Sequence, residues 1–195
     1  MDETKYSLYA LPHLAEIFEA LRKGRHLCEE DGKLYQAMVQ NLEDYKTLFF
    51  HLGFHLEVHH HDFVYFKGDH QLSELARRLS VFMFILIETL ADNSEDISET
   101  LITRQFEITD LPHFKQERYR AYMKMAGVDT QENLSNLLQR MKELGFIRFI
   151  SEQQTFRFRT PVYRFLDICL DILRDTSSEG QAISDAEPQI QEEET

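Results

Sequence analysis

Cysteine is scarce in this sequence. The 195 residues hold only Cys28 and Cys169, far apart, with no Cys-x-x-Cys spacing and apolar neighbours. A free thiol in such surroundings behaves as a small hydrophobe, which fits a reducing compartment. No basic start leads into an apolar run and a small-residue cleavage site, so export is not expected. Long apolar runs are missing as well. The most apolar stretch, Leu79-Ser-Val-Phe-Met-Phe-Ile-Leu-Ile87, is nine residues long, about half of the roughly 18 to 20 that a membrane span requires. It is expected to form a buried helix rather than an anchor, which favours a soluble, cytoplasmic chain. Basic residues are in the minority, with 21 against 34 acids and a net charge of −13. A field of that sign repels nucleic acid at long range, so any DNA contact must come from a local patch. Catalytic signatures are lacking too: there is no Gly-rich phosphate loop, no His-Glu-x-x-His, no Gly-x-Ser-x-Gly and no recognisable Cys-His pair. Glu29-Glu30 and Asp92 with Glu95 look like ordinary solvated helix ends. A non-enzymatic protein without cofactor is expected.

What is present is an apolar content of 43%, enough for one large or two small cores. A weak internal repeat favours two. In the first copy Leu34, Met38, Leu42, Tyr45, Phe49 and Leu52 recur every three or four residues. This spacing predicts one amphipathic helix with Asp31 as N-cap and Gly53 as terminator. In the second copy Leu134, Leu137, Leu138, Met141 and Leu144 show the same period, with Asp129 and Glu132 spaced as a capping box and Gly145 at the end. Leu52-Gly-Phe54 and Leu144-Gly-Phe146 close the two helices alike. Each is followed by alternating runs around a polar turn, 54–58 with 63–66 and 146–150 with 155–159. Further helices are expected over 72–90 and 162–173, the latter opened by Pro161.

Helix, glycine stop, hairpin and helix outline a winged helix. Upstream of the second copy, helical patterns at 97–106 and 112–125, closed by Gly127, supply the remaining helices. The first copy offers one clear helix, on Leu11, Leu14, Phe18 and Leu21, and 24–30 is too short for a second, so this copy is expected to be either a degenerate copy or a variant. The expected architecture is mainly α with small β-hairpins, as tandem winged-helix domains. An N-terminal unit with its following apolar helix covers 1–92, a C-terminal winged helix 93–174, and an acidic tail 175–195. The tail has seven acids and no base, and is expected to be disordered. Without it the chain keeps 27 acids and 21 bases, about −6.

The segments Gly24-Arg-His-Leu-Cys-Glu-Glu-Asp31, Leu34-Tyr35, Phe50-His-Leu-Gly-Phe-His-Leu56 and Tyr65-Phe66 resemble the N-terminal pattern of MukE/MksE-type condensin accessory subunits, and the likeness covers most of residues 5 to 174. The resemblance implies tandem winged helices that form a homodimer and bind a kleisin subunit of the MukF/MksF type. Through the kleisin the chain would join an SMC ATPase of the MukB/MksB type. It also implies a nucleoid-associated role in chromosome condensation and segregation or in plasmid defence, with non-specific double-stranded DNA contacted inside the complex. The family has no catalytic residues to carry over. A free-standing winged-helix transcriptional regulator is the alternative from a different class.

Three groups of residues are candidates for a site. His55, His59, His60 and His61 crowd the first hairpin beside Glu57, but no cysteine or further acid converges there in sequence, and a polar hairpin face is expected rather than a metal site. In the second hairpin, burying Ile147, Phe149, Phe156 and Phe158 turns Arg148, Arg157 and Arg159 outward, near Arg140 and Lys142 at the end of the preceding helix. These five cations form either a phosphate-holding, DNA-binding patch or a merely solubilising surface; nothing there reads bases. The helix carrying Phe82, Phe84 and Ile85 has only Ser80 polar between Leu79 and Ile87. It is either a core helix or, through those three residues, a partner interface.

Overall fold

Asn41 interrupts what the apolar spacing predicts as a single helix from Leu34 to Leu52. Its side-chain amide donates to the Ala37 carbonyl at 3.0 Å, and its backbone leaves helical geometry at φ −127°, ψ 33°. A short polar side chain that bonds to the preceding turn competes with the helical ladder. Two helices result, α2 (Lys33–Gln40) and α3 (Leu42–His51). Met38, Tyr45 and Phe49 nonetheless reach one core, because the break reorients α3 without removing its apolar face from that side. Asp31 is not the expected N-cap. It closes a 3-10 turn, Glu29–Asp31, and its carboxylate accepts the Cys28 N–H at 3.0 Å.

In a computed structural model of the chain, the described residues are 11–68, 74–151 and 154–167. The first half begins with α1 (Leu14–Arg22) and β1 (Leu27–Cys28), continues through α2 and α3, and ends in a hairpin of β2 (His55–His59) and β3 (Phe63–Lys67). Ile17 and Leu21 of α1 pack with Leu27, Met38, Tyr45, Phe49 and Val64. The Tyr45 hydroxyl donates to the Pro12 carbonyl, so a core ring also fixes the entry to α1.

The second half repeats this order with α5 (Ile97–Thr103), β4 (Phe106–Glu107), α6 (Glu117–Met125), α7 (Gln131–Glu143), β5 (Ile147–Ser151) and β6 (Thr155–Phe158). Each half holds an antiparallel three-stranded sheet with the same layout, β1-β3-β2 and β4-β6-β5. The first half is therefore no degenerate copy; the helix it seems to lack in sequence is hidden in the continuous period across Asn41. Phe106, expected at a helix end, is a strand residue paired with Phe156, its ring 5.6 Å away. The N-cap of α7 is Thr130, whose hydroxyl accepts the Asn133 N–H at 3.1 Å, and Asp129 instead holds the Asn133 side chain.

Between the halves runs α4 (Glu74–Asp92), which buries Leu79, Phe82, Met83, Ile85, Leu86 and Leu90. It packs on α5, on the 3-10 turn Pro112–Phe114, on α6 and on α7. Its apolar face thus completes the core of the second half. No helix among the described residues is long and apolar enough to cross a membrane. Of the described residues, those through Tyr163 make one compact unit, and 164–167 fall outside it. Residues 163–167 are helical. The rest of the helix expected to Leu173, Cys169 and the acidic tail lie outside the described residues.

Candidate functional site in the cleft between the halves

The two halves meet where the 3-10 turn after β1 faces the second hairpin. Arg159, the residue after β6, is 5% exposed. Its Nη2 lies 2.5 Å from Asp31 Oδ2 and 3.0 Å from Cys28 Sγ, and its Nη1 donates to the Gly145 carbonyl at 3.2 Å. The second oxygen of Asp31 takes a 2.7 Å bond from Arg25 Nη2. Burial would raise the Asp31 pKa, but the Cys28 N–H, Arg25 and Arg159 outweigh it, so the carboxyl sits below its ordinary value. The same pairing outweighs burial at Arg159 and holds its pKa above the usual range. A paired and hydrogen-bonded buried charge of this kind is a lock, since removing one partner leaves the other desolvated and uncompensated.

The outward orientation expected for Arg159 is therefore corrected. Alternation does separate it from Phe156 and Phe158, but the face on which it lies is covered by the first half rather than by water. Arg157 is half-buried, with Nη2 directed at the Ile102 carbonyl at 3.4 Å. Arg148 is exposed and pairs with Glu30 at 3.3 Å. Arg140 is exposed and pairs with Glu143. Lys142 places its ammonium 5.9 Å over the Phe149 ring.

A cleft of about 410 Å³ between the halves is lined by Arg25, Lys142, Arg148 and Arg159 together with Glu30, Asp31 and Glu143. A second hollow, of about 600 Å³, adds Lys23 and Arg140. Sequence reasoning missed Lys23, Arg25, Glu30 and Asp31 as members of this site. No local signal pairs them with residues more than a hundred positions later. The assembled surface is mixed in sign, with six basic side chains against three acids.

The three residues expected at a partner interface are divided. Phe82 and Ile85 are 0% exposed, because α4 turns them into the second core, where Phe82 stacks on His113 at 4.2 Å. Only Phe84, 48% exposed, has surface to offer. In the first hairpin His59 stacks on Phe63 at 4.2 Å and His61 on Tyr163 at 3.8 Å, so these rings are used in aromatic packing.

The family model described as "Condensin complex protein MksE" matches residues 12–170, a stretch that takes in both halves and the cleft between them. No curated protein matches the chain. Two equivalent halves locked by Arg159 and Asp31, matched across their combined length by one family model, place this chain in the MksE family of condensin complex proteins.

Proposed function

We propose that this chain is a non-catalytic adaptor of a bacterial SMC-type condensin, built from two winged helices. It would dimerise, bind the kleisin subunit and through it join the SMC ATPase, in a nucleoid-associated complex serving chromosome segregation or plasmid defence. The observation that carries this reading is the MksE family match across residues 12–170. The repeated order of helix, strand, two helices and hairpin supports the winged-helix assignment, since each half has the parts of that fold in sequence.

Contact with DNA in this reading is sequence-tolerant and made at the rim of the cleft by Arg140, Lys142 and Arg148, the three of the five candidate cations that are exposed. Their carboxylate neighbours and the net charge of −13 keep the chain alone a poor DNA ligand, so DNA binding belongs to the assembled complex. Co-expression with an MksF-type kleisin tests the central claim. The expected result is a complex that survives gel filtration at micromolar concentration and shields the kleisin from limited proteolysis. Separate elution of the two proteins would overturn the reading.

A further inference from the structure

We propose that the exposed face shared by α4 and α6 is a docking groove for an acidic, amphipathic segment of a partner polypeptide. This deepens the adaptor reading, on which it rests, by naming a surface and the chemistry it selects.

The two helices run antiparallel and are linked by three rungs. Arg77 Nη1 donates to the Met125 carbonyl at 3.2 Å. The rings of Phe84 and Tyr122 stand edge to face at 6.2 Å. Arg118 Nη2 lies 3.0 Å from Glu88 Oε2. From Arg77 to Glu88 the groove extends about 16 Å, or three helical turns. Its middle is apolar, with Phe84 48% and Tyr122 36% exposed, and Met125, 75% exposed, lies at the Arg77 end. These side chains are not needed by the core, which α4 and α6 supply with Phe82, Met83, Tyr119 and Met123.

Charge indicates the occupant. Residues 115–124 hold Lys115, Arg118, Arg120 and Lys124 against Glu117 alone, in a chain whose net charge is −13. Arg77 and Arg118 stand at opposite ends of the apolar middle. A segment with one or two apolar anchors and carboxylates on both sides would bury the anchors on Phe84, Tyr122 and Met125 and meet a cation at each end. Nucleic acid fits less well. A phosphate run laid along the groove would cross Phe84 and Met125, whose side chains donate no hydrogen bond.

The test uses the full chain and two fluorescent helical peptides of about 14 residues with the same leucine anchors, one flanked by Glu and one by Lys. The Glu-flanked peptide is expected to bind at least about tenfold more tightly, and Phe84→Ala to weaken it by about tenfold. Met125→Glu, at the most exposed position of the groove, should do the same and guards against misfolding of the first variant; circular dichroism checks both. Equal affinity for the two peptides, or indifference to both substitutions in folded protein, overturns the proposal. So does displacement of the peptide by a 20-base-pair duplex, which would make the face a nucleic-acid surface, or self-association of the chain that Phe84→Ala abolishes. If the kleisin fails to associate while the peptide preference holds, only the adaptor reading falls. If the kleisin associates and the peptides are not distinguished, only the groove does.

Discussion

Arg159 Nη2 lies 2.5 Å from Asp31 Oδ2, although 128 residues separate the two in sequence and neither side chain is more than 6% exposed. Replacing Arg159 by Met leaves the Asp31 carboxylate buried with only Arg25 and the Cys28 N–H. The expected cost is about 3 kcal/mol, or roughly 6–12 °C in thermal midpoint. The double variant Asp31→Asn, Arg159→Met should recover part of the loss in a mutant cycle. The sign with pH follows from the lowered Asp31 pKa. The stabilisation is complete above the ordinary carboxylate range, near pH 4, and is lost as pH falls through the still lower folded value. Arg159→Met should therefore lose less stability than the wild type on acidification below about pH 4. Melts at neutral and acidic pH that leave the two proteins indistinguishable would show that the pair does not hold the halves.

The two Leu-Gly-Phe glycines are alike in sequence and differ in consequence. Gly53 and Gly145 have φ of +82° and +85°, so each incurs the left-handed penalty on substitution, about 1–2 kcal/mol. A Cβ at Gly53 meets nothing within 4 Å, whereas one at Gly145 falls 2.4 Å from the His26 carbonyl oxygen. That carbonyl belongs to the residue whose N–H donates to the Leu144 carbonyl at 2.8 Å, so it cannot yield without opening the junction between the halves. Gly53→Ala should cost about 1 kcal/mol, and Gly145→Ala about 3 kcal/mol or more, as read by chemical denaturation. Similar losses at the two positions would mean that the halves separate easily.

Much of the fold is legible in the amino-acid order. Gly53, Gly127 and Gly145 mark helix ends, and the period of Leu134 to Leu144 matches α7, because local rules govern a helix and its stop. The break at Asn41 is not legible. The apolar spacing runs through it undisturbed, and what ends α2 is a side-chain bond to Ala37 that competes with the ladder. Alternation assigns Arg159 to the correct side of its strand and to the wrong environment, since it separates two faces without saying what covers them. Only the tertiary approach of Asp31 does that. Phe84 is separable from Phe82 and Ile85 only once α4 has been placed on His113 and α6.

His113 gives a pH dependence of the opposite origin. It is 0% exposed, stacks on Phe82 and donates Nε2–H to the Phe82 carbonyl at 2.9 Å. Burial lowers its pKa to about 4, against a smaller opposing effect of that hydrogen bond. Between about pH 6.5 and pH 4 the unfolded chain binds a proton that the folded chain excludes. Stability therefore falls as pH drops through this window, by about 3 kcal/mol for this group. His113→Phe keeps the ring stack and removes the titration. The difference in stability between wild type and variant should shift by that amount from pH 7 to pH 4, with the other histidines cancelling. A constant difference would show that the imidazole is reached by water.

The cations of the cleft separate into two classes with different predicted phenotypes. Arg140, Lys142 and Arg148 are exposed, so changing all three to Glu removes the surface pairs with Glu30 and Glu143 while keeping the Arg159–Asp31 pair and both cores. If they hold phosphates, the assembled complex should bind a duplex more weakly, and its logarithmic salt dependence should flatten by up to about three units, roughly 0.9 for each phosphate no longer neutralised. Arg159→Glu should behave otherwise. It sets a third carboxylate beside Asp31 and Glu30 in a site that is 5% exposed, so the expected result is loss of folded protein rather than a change in salt slope. Fluorescence anisotropy at 50 and 200 mM salt, on complexes whose melting is first shown to be normal, distinguishes the two. A folded triple variant with unchanged affinity and slope would reduce the rim to a solvated surface and leave the chain a purely architectural part of its complex.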